Sequence, residues 1–179
     1  MIRFFRALPM LVLAVYASAA DLPLGGWALK PGSTAKATGL RLEAPAGGTE
    51  ATLVSTPVAL KVGELYRLSA ILRTEGVQAD PLARYPTALG ACLSMESFPF
   101  TNASQSVGGS GERKVALLFL ATSPADRAQL HLGRNGRATG AVTFSDVKLE
   151  KVEDVTAFIP MESVRWAGKG FRYEMGGWT

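Results

Sequence analysis

The sequence predicts an all-β protein, an antiparallel β-sandwich of about eight strands, on three observations. Between Trp27 and Val152, short apolar runs recur with a period of two. Gly-, Pro- and Asn-rich breaks separate them, among them Gly47-Gly48, Gly108-Gly109 and Asn135-Gly136. No stretch between them carries the 3.6-residue period of an amphipathic helix.

The elements follow in order. Thr38–Ala44 places Leu40, Leu42 and Ala44 on one face and Arg41 and Glu43 on the other, before Pro45-Ala46-Gly47-Gly48 breaks the chain. Leu53, Val54, Val58, Leu60 and Val62 come next, and Pro57 among them suits an edge strand or a bulge. Glu64–Arg73 sets Tyr66, Leu68, Ala70 and Leu72 against Arg67, Ser69 and Arg73. Thr87–Met95 and Val115–Ala121 are apolar on both faces, the pattern of central strands. Ala128, Leu130 and Leu132 alternate with the polar Arg127, Gln129 and His131. In Ala141–Glu150 the phase slips: Val142 and Phe144 share a parity that Val147 and Leu149 do not, which predicts a bulge at Ser145-Asp146.

Composition narrows the function classes. The chain of 179 residues is 47% hydrophobic and 19% charged, with 19 Gly and 10 Pro, which excludes a disordered chain and a coiled coil. One Cys excludes an internal disulfide and a cysteine-ligated zinc site. Cys92 itself reads as a small buried hydrophobe. With one His, a His-centred triad can run only through His131. No GxSxG, HExxH, P-loop or Rossmann fingerprint occurs, so the chain reads as a non-enzyme.

Residues 1–20, MIRFFRALPMLVLAVYASAA, have the form of a secretory signal peptide: Arg3 and Arg6, an apolar Leu8–Tyr16, and the small residues Ala17-Ser18-Ala19. The apolar run is shorter than the roughly 20 residues that span a bilayer, so cleavage leaves no stable membrane insertion. The expected destination is the periplasm or the exterior. The formal charge of +4 includes Arg3 and Arg6, and without them +2 remains, too little for a nucleic-acid surface.

Gly26-Trp27, Leu40-Arg41-Leu42, Leu65–Ala70, Val115–Ala121, the Thr122-Ser123-Pro124 turn, Ala128–Gly133 and the closing Phe144-Ser145-Asp146-Val147-Lys148-Leu149-Glu150 occur in an order that resembles the CenC-like carbohydrate-binding modules. These are jelly-roll domains of the galactose-binding-like sandwiches, and the resemblance covers roughly residues 25–152. It implies a binding module for a carbohydrate or glycan over residues 21–152. Asp146 falls where such modules often carry an acidic residue that helps hold a structural calcium. Here Ser145-Asp146 replaces the family's doubled Asp, and no Asp/Asn-rich loop accompanies it.

Sugar recognition calls for aromatic faces with flanking hydrogen-bonding groups. Arg84 and Tyr85 before one strand, and Phe98, Phe100, Asn102 and Gln105 after it, supply that mixture and form the candidate ligand-binding set. The alternative for Phe98 and Phe100 is that they cover the end of the sandwich. Trp27 reads as a packing residue at the entry to the domain.

Residues 153–179 form an aromatic-rich tail with Phe158, Trp166, Phe171, Tyr173 and Trp178. It packs back on the sandwich, binds a partner or begins a following domain. Phe171–Thr179 resembles the opening strand of secreted hydrolases of the acyl-coenzyme A:6-aminopenicillanic acid acyltransferase type. That resemblance implies an accessory module at the N-terminus of a longer product, with a C-terminal catalytic domain as partner.

Overall fold

In the computed structural model, the described residues are 21–81, 89–98 and 108–153, with the backbone of 164–167 and 170–173. All their regular structure is strand, and every pairing is antiparallel. The fold is a jelly-roll β-sandwich, as the sequence predicts.

One sheet, sheet A, runs in the order β3 (Lys36–Thr38), β4 (Arg41–Glu43), β12 (Gly136–Lys151), β7 (Leu65–Pro81), β9 (Gly109–Leu120), with β1 (Asp21–Leu22) also on β12. The other, sheet B, runs β2 (Ala28–Leu29), β5 (Ala51–Val54), β11 (Ala128–Arg134), β8 (Leu89–Met95). A short pair, β6 (Val58–Ala59) with β10 (Ala125–Asp126), lies outside both sheets. In the tail, β13 (Val164–Ala167) and β14 (Gly170–Tyr173) pair with each other as a hairpin.

The core lies between the sheets. Leu42, Leu68, Leu72, Val142, Phe144 and Leu149 come from sheet A, and Leu53, Leu93, Met95, Leu130 and Leu132 from sheet B. Trp27 is partly buried against this cluster, the packing role expected of it.

The β7–β12 pair is the long spine of sheet A. Its register shifts between Ser145 and Lys148, and Asp146 there has φ +49°. This is the bulge that the phase slip predicts: one extra residue restores Leu149 to the inner face opposite Leu68. A second shift lies between Thr139 and Ala141, around Gly140 with φ +83°. A Cβ at Gly140 would stand 2.5 Å from the carbonyl oxygens of Glu75 and Gly76, so no side chain fits this bulge.

Three expectations are corrected. Thr38–Ala44 is not one strand: Gly39-Leu40 turns the chain between β3 and β4, and only Leu42 of its apolar set is fully buried. Val115–Ala121 is not central. Its residues up to Leu120 belong to β9, which among the described residues pairs with β7 alone and whose outer face shows Leu118 and Leu120 at 37% and 53% exposure. A run apolar on both faces thus buries only one here. Of Thr87–Met95, the other expected central strand, Leu89–Met95 forms β8, which among the described residues pairs only with β11 although every residue of it is buried.

Three substitutions test the stability of this packing. Gly140→Ala is expected to lower the unfolding free energy by well over ~1 kcal/mol, because it adds a left-handed Cβ to a backbone clash. Gly47→Ala, with nothing within 4 Å of its Cβ, is expected to be near neutral in the same denaturant titration. Leu132→Ala, which empties a fully buried site, is expected to cost about 2–5 kcal/mol.

Candidate functional site

The outer faces of the two sheets differ in chemistry. On and beside sheet A several charges pair with one another. Arg41 holds Glu75 through two 2.9 Å bonds, Arg67 pairs with Glu150, and Glu64 accepts from Lys61 at 2.9 Å and lies 3.0 Å from Lys151. The Arg41 hydrogen bonds hold the Glu75 carboxyl below its usual range, and the bonds from Lys61 and Lys151 do the same for Glu64.

Sheet B is built otherwise. Its inner residues are Ala51, Leu53, Ala91, Leu93, Met95, Leu130 and Leu132, so strand alternation turns Thr52, Cys92, Ser94, Gln129 and His131 to the opposite face. That face is nonetheless closed over its middle: Cys92 and Ser94 are fully buried and His131 is 4% exposed. Cys92 is therefore a buried residue as expected, but on the side away from the central cluster.

Polar side chains buried without water need partners, and here they find one another. His131 Nδ1 lies 3.0 Å from Thr52 Oγ1 on β5, and Nε2 lies 2.7 Å from Ser94 Oγ on β8. Arg134 Nη1 donates to the same Nε2 at 3.1 Å. Ser94 Oγ is also 3.1 Å from the Gln129 carboxamide. The chain Thr52–His131–Ser94–Gln129 thus crosses three strands of sheet B.

A serine 2.7 Å from a histidine has the spacing of a nucleophile and its base. The surroundings exclude that use. Burial first, then the positive charges of Arg134 and Lys30, push the imidazole pKa down to about 3. So weak a base takes no proton near neutrality. A hydroxyl, not a carboxylate, stands behind Nδ1, and Ser94 is inaccessible.

The network ends in an open cleft. A concavity of about 340 Å³ lies where β2, β5 and β11 meet the chain beyond β8. Gln129, Arg127, Glu96 and Lys30 line it beside the apolar Val54 and the Thr56 loop. Arg127 Nε stands 3.8 Å from Glu96 Oε2, both half exposed, and the Glu96 N–H donates to the Arg127 carbonyl at 2.9 Å. On the far wall, the Thr56 N–H and Oγ1 both donate to the Gly25 carbonyl, at 2.9 and 3.0 Å. Two cations, a carboxylate and a carboxamide converge on a shallow, partly apolar floor. Such a surface can hydrogen-bond a polyhydroxylated ligand from several sides.

Of the residues singled out from sequence, Phe98 is placed: it is partly buried on the core, its ring 6.5 Å from Phe119, which stacks in turn on Tyr66 at 6.0 Å. Arg84, Tyr85, Phe100, Asn102 and Gln105 lie outside the described residues. Asp146 is an exposed bulge residue, 3.1 Å from Lys148 Nζ, and among the described residues no three His, Cys, Asp or Glu side chains gather as a metal site. His131, expected on the polar side of its strand, is there but buried. Sequence reasoning missed Ser94, Thr52, Glu96, Arg127 and Lys30 as site residues, since strand register brings in the first two and the cleft beyond the strand ends the other three.

No family model matches the chain, and no curated protein does. Among solved structures it is similar to a CBM4 module, with 14% identity and a TM-score of 0.42 over 70% of this chain and 86% of that one. It is similar to TmCBM61 in complex with β-1,4-galactotriose, at 12% and 0.43, over 70% and 88% of the two chains. It is also similar to the CBM22-1 xylan-binding domain of Paenibacillus barcinonensis Xyn10C, at 9% and 0.37, over 77% and 98%. The likeness is one of architecture.

The buried imidazole sets a pH dependence. Its folded pKa, about 3, lies below the ordinary 6.5, so the unfolded chain binds the proton first as pH falls. Stability is therefore full above pH 6.5 and is lost toward pH 3, with a limiting slope of about 1.4 kcal/mol per pH unit. Glu64 and Glu75, lowered from 4.5, add their losses only further down. Denaturant titrations between pH 6.5 and 4.5 are expected to show this slope in the native chain and a flatter one in His131→Gln.

Proposed function

We propose that this chain is an exported, noncatalytic glycan-binding module that holds its ligand in the cleft on the outer face of sheet B. The observation that carries the reading is the convergence of Lys30, Glu96, Arg127 and Gln129 on one open concavity over a buried, mutually satisfied polar layer. That layer makes the floor rigid, and a rigid floor limits the entropy lost when a flexible sugar chain binds. Arg84, Tyr85, Phe100, Asn102 and Gln105, outside the described residues, are carried over from the sequence as candidate aromatic and amide contacts, while Phe98 packs on the core. The signal-like residues 1–20 and the lack of a competent nucleophile–base pair among the described residues support export and a non-enzymatic role.

A second reading, an accessory domain that positions a secreted hydrolase, draws on one observation: the tail strands β13 and β14 pair with each other and not with either sheet. The two readings differ in what the sandwich does alone.

The test is binding of the chain, freed of residues 1–20, to a glycan array and to insoluble polysaccharides. Retention on at least one glycan is expected, with Gln129→Ala, Arg127→Ala and Tyr85→Ala each weakening it about tenfold, the value of one good polar or stacking contact. Arg41→Ala on sheet A is expected to leave binding unchanged. Failure to bind any glycan would sink the first reading in favour of the second.

A further inference from the structure

We propose that Arg134, acting through His131 and Ser94, fixes which end of the Gln129 carboxamide faces the cleft, so that the cleft offers the side-chain carbonyl as an acceptor for a ligand hydroxyl. The assignment rests on reading the cleft as the glycan site, and it makes Arg134 a positioning residue that need not touch the ligand.

The reasoning is a count of protons. Arg134 has donors only. Its Nη1 points at His131 Nε2 from 3.1 Å, so Nε2 carries a lone pair and the neutral ring keeps its proton on Nδ1. Nδ1–H then donates to Thr52 Oγ1 at 3.0 Å. Ser94 Oγ lies 2.7 Å from Nε2, where two facing lone pairs would repel. The hydroxyl therefore turns its single proton to the imidazole and shares the Nε2 lone pair with the Arg134 N–H. Ser94 has no second proton for Gln129, so its contact with the carboxamide, 3.1 Å from Oε1, is satisfied when that group makes a half-turn and donates its amino group instead. Oε1 is then left to the cleft, which Gln129 lines.

The opposite polarity is also a closed chain. Thr52 would donate to Nδ1, Nε2–H to Ser94, and Ser94 to Gln129 Oε1, leaving an amino group in the cleft. It fails at one point: an N–H on Nε2 would meet the Arg134 N–H head on. The Arg134 contact is thus what separates two arrangements that offer a ligand opposite hydrogen-bonding groups.

The chain has a single histidine, so the imidazole nitrogens of the full, untagged chain give one pair of signals in a ¹⁵N spectrum. The expected result is a protonated Nδ1 and a bare Nε2; a protonated Nε2 would overturn the proposal. In Arg134→Met the tautomer is expected to shift toward Nε2–H, and in Arg134→Lys to stay as in the native chain. An unchanged tautomer in Arg134→Met would show that Arg134 does not set it. If that variant does not fold, the native chain still decides. The Gln129 side-chain amino protons should exchange slowly and show contacts to Ser94, whereas fast exchange with solvent would refute the assignment. None of these readings needs a ligand, so they stand or fall apart from the glycan-binding test.

Discussion

Strand β11 is buried on both faces, and much of the structure follows from that constraint. Its inner side, Leu130 and Leu132, meets the facing sheet, an ordinary apolar requirement. Its other side carries Gln129 and His131, which a closed surface tolerates only if every polar atom is partnered. The neighbouring strands supply those partners at the right register, Thr52 from β5 and Ser94 from β8. Burial first, then the charges of Arg134 and Lys30, keep His131 neutral, Ser94 is held out of reach, and Gln129 is presented to the cleft.

The sandwich can be this demanding because its other sheet is forgiving. Sheet A faces outward with ion pairs that are exposed and individually worth little, so its surface can vary without disturbing the core. Its long strands instead spend their specificity on bulges. Asp146 adds a residue to β12 and the shift opposite Gly140 adds one to β7, so Leu149 on β12 and Val77 on β7 each return to the inner face.

The fold was largely legible from alternation alone. Tyr66, Leu68, Ala70 and Leu72 point inward as their parity requires, and the slip between Phe144 and Leu149 located a bulge to within a residue. Apolarity on both faces misled for β9, because an edge strand can leave Leu118 and Leu120 in the open, and a count of apolar residues does not say which side is covered. The candidate site was much less legible. Gln129 and His131 could be placed on a polar face, but their hydroxyl partners Ser94 and Thr52 lie 35 to 79 residues away in the chain and meet them only through sheet register. Lys30, Glu96 and Arg127 sit just beyond strand ends, where local pattern carries no sign of convergence.

The central claim is that the opening on sheet B, and not another surface, meets the glycan. Backbone amide shifts of the isotopically labelled chain, followed while a glycan retained by the array is titrated in, address it directly. The account predicts that the perturbed amides cluster at Lys30, Val54, Thr56, Glu96, Arg127 and Gln129, around the cleft. Perturbations centred on Arg41, Glu75, Arg67 and Glu150 of sheet A, with the cleft silent, would contradict it.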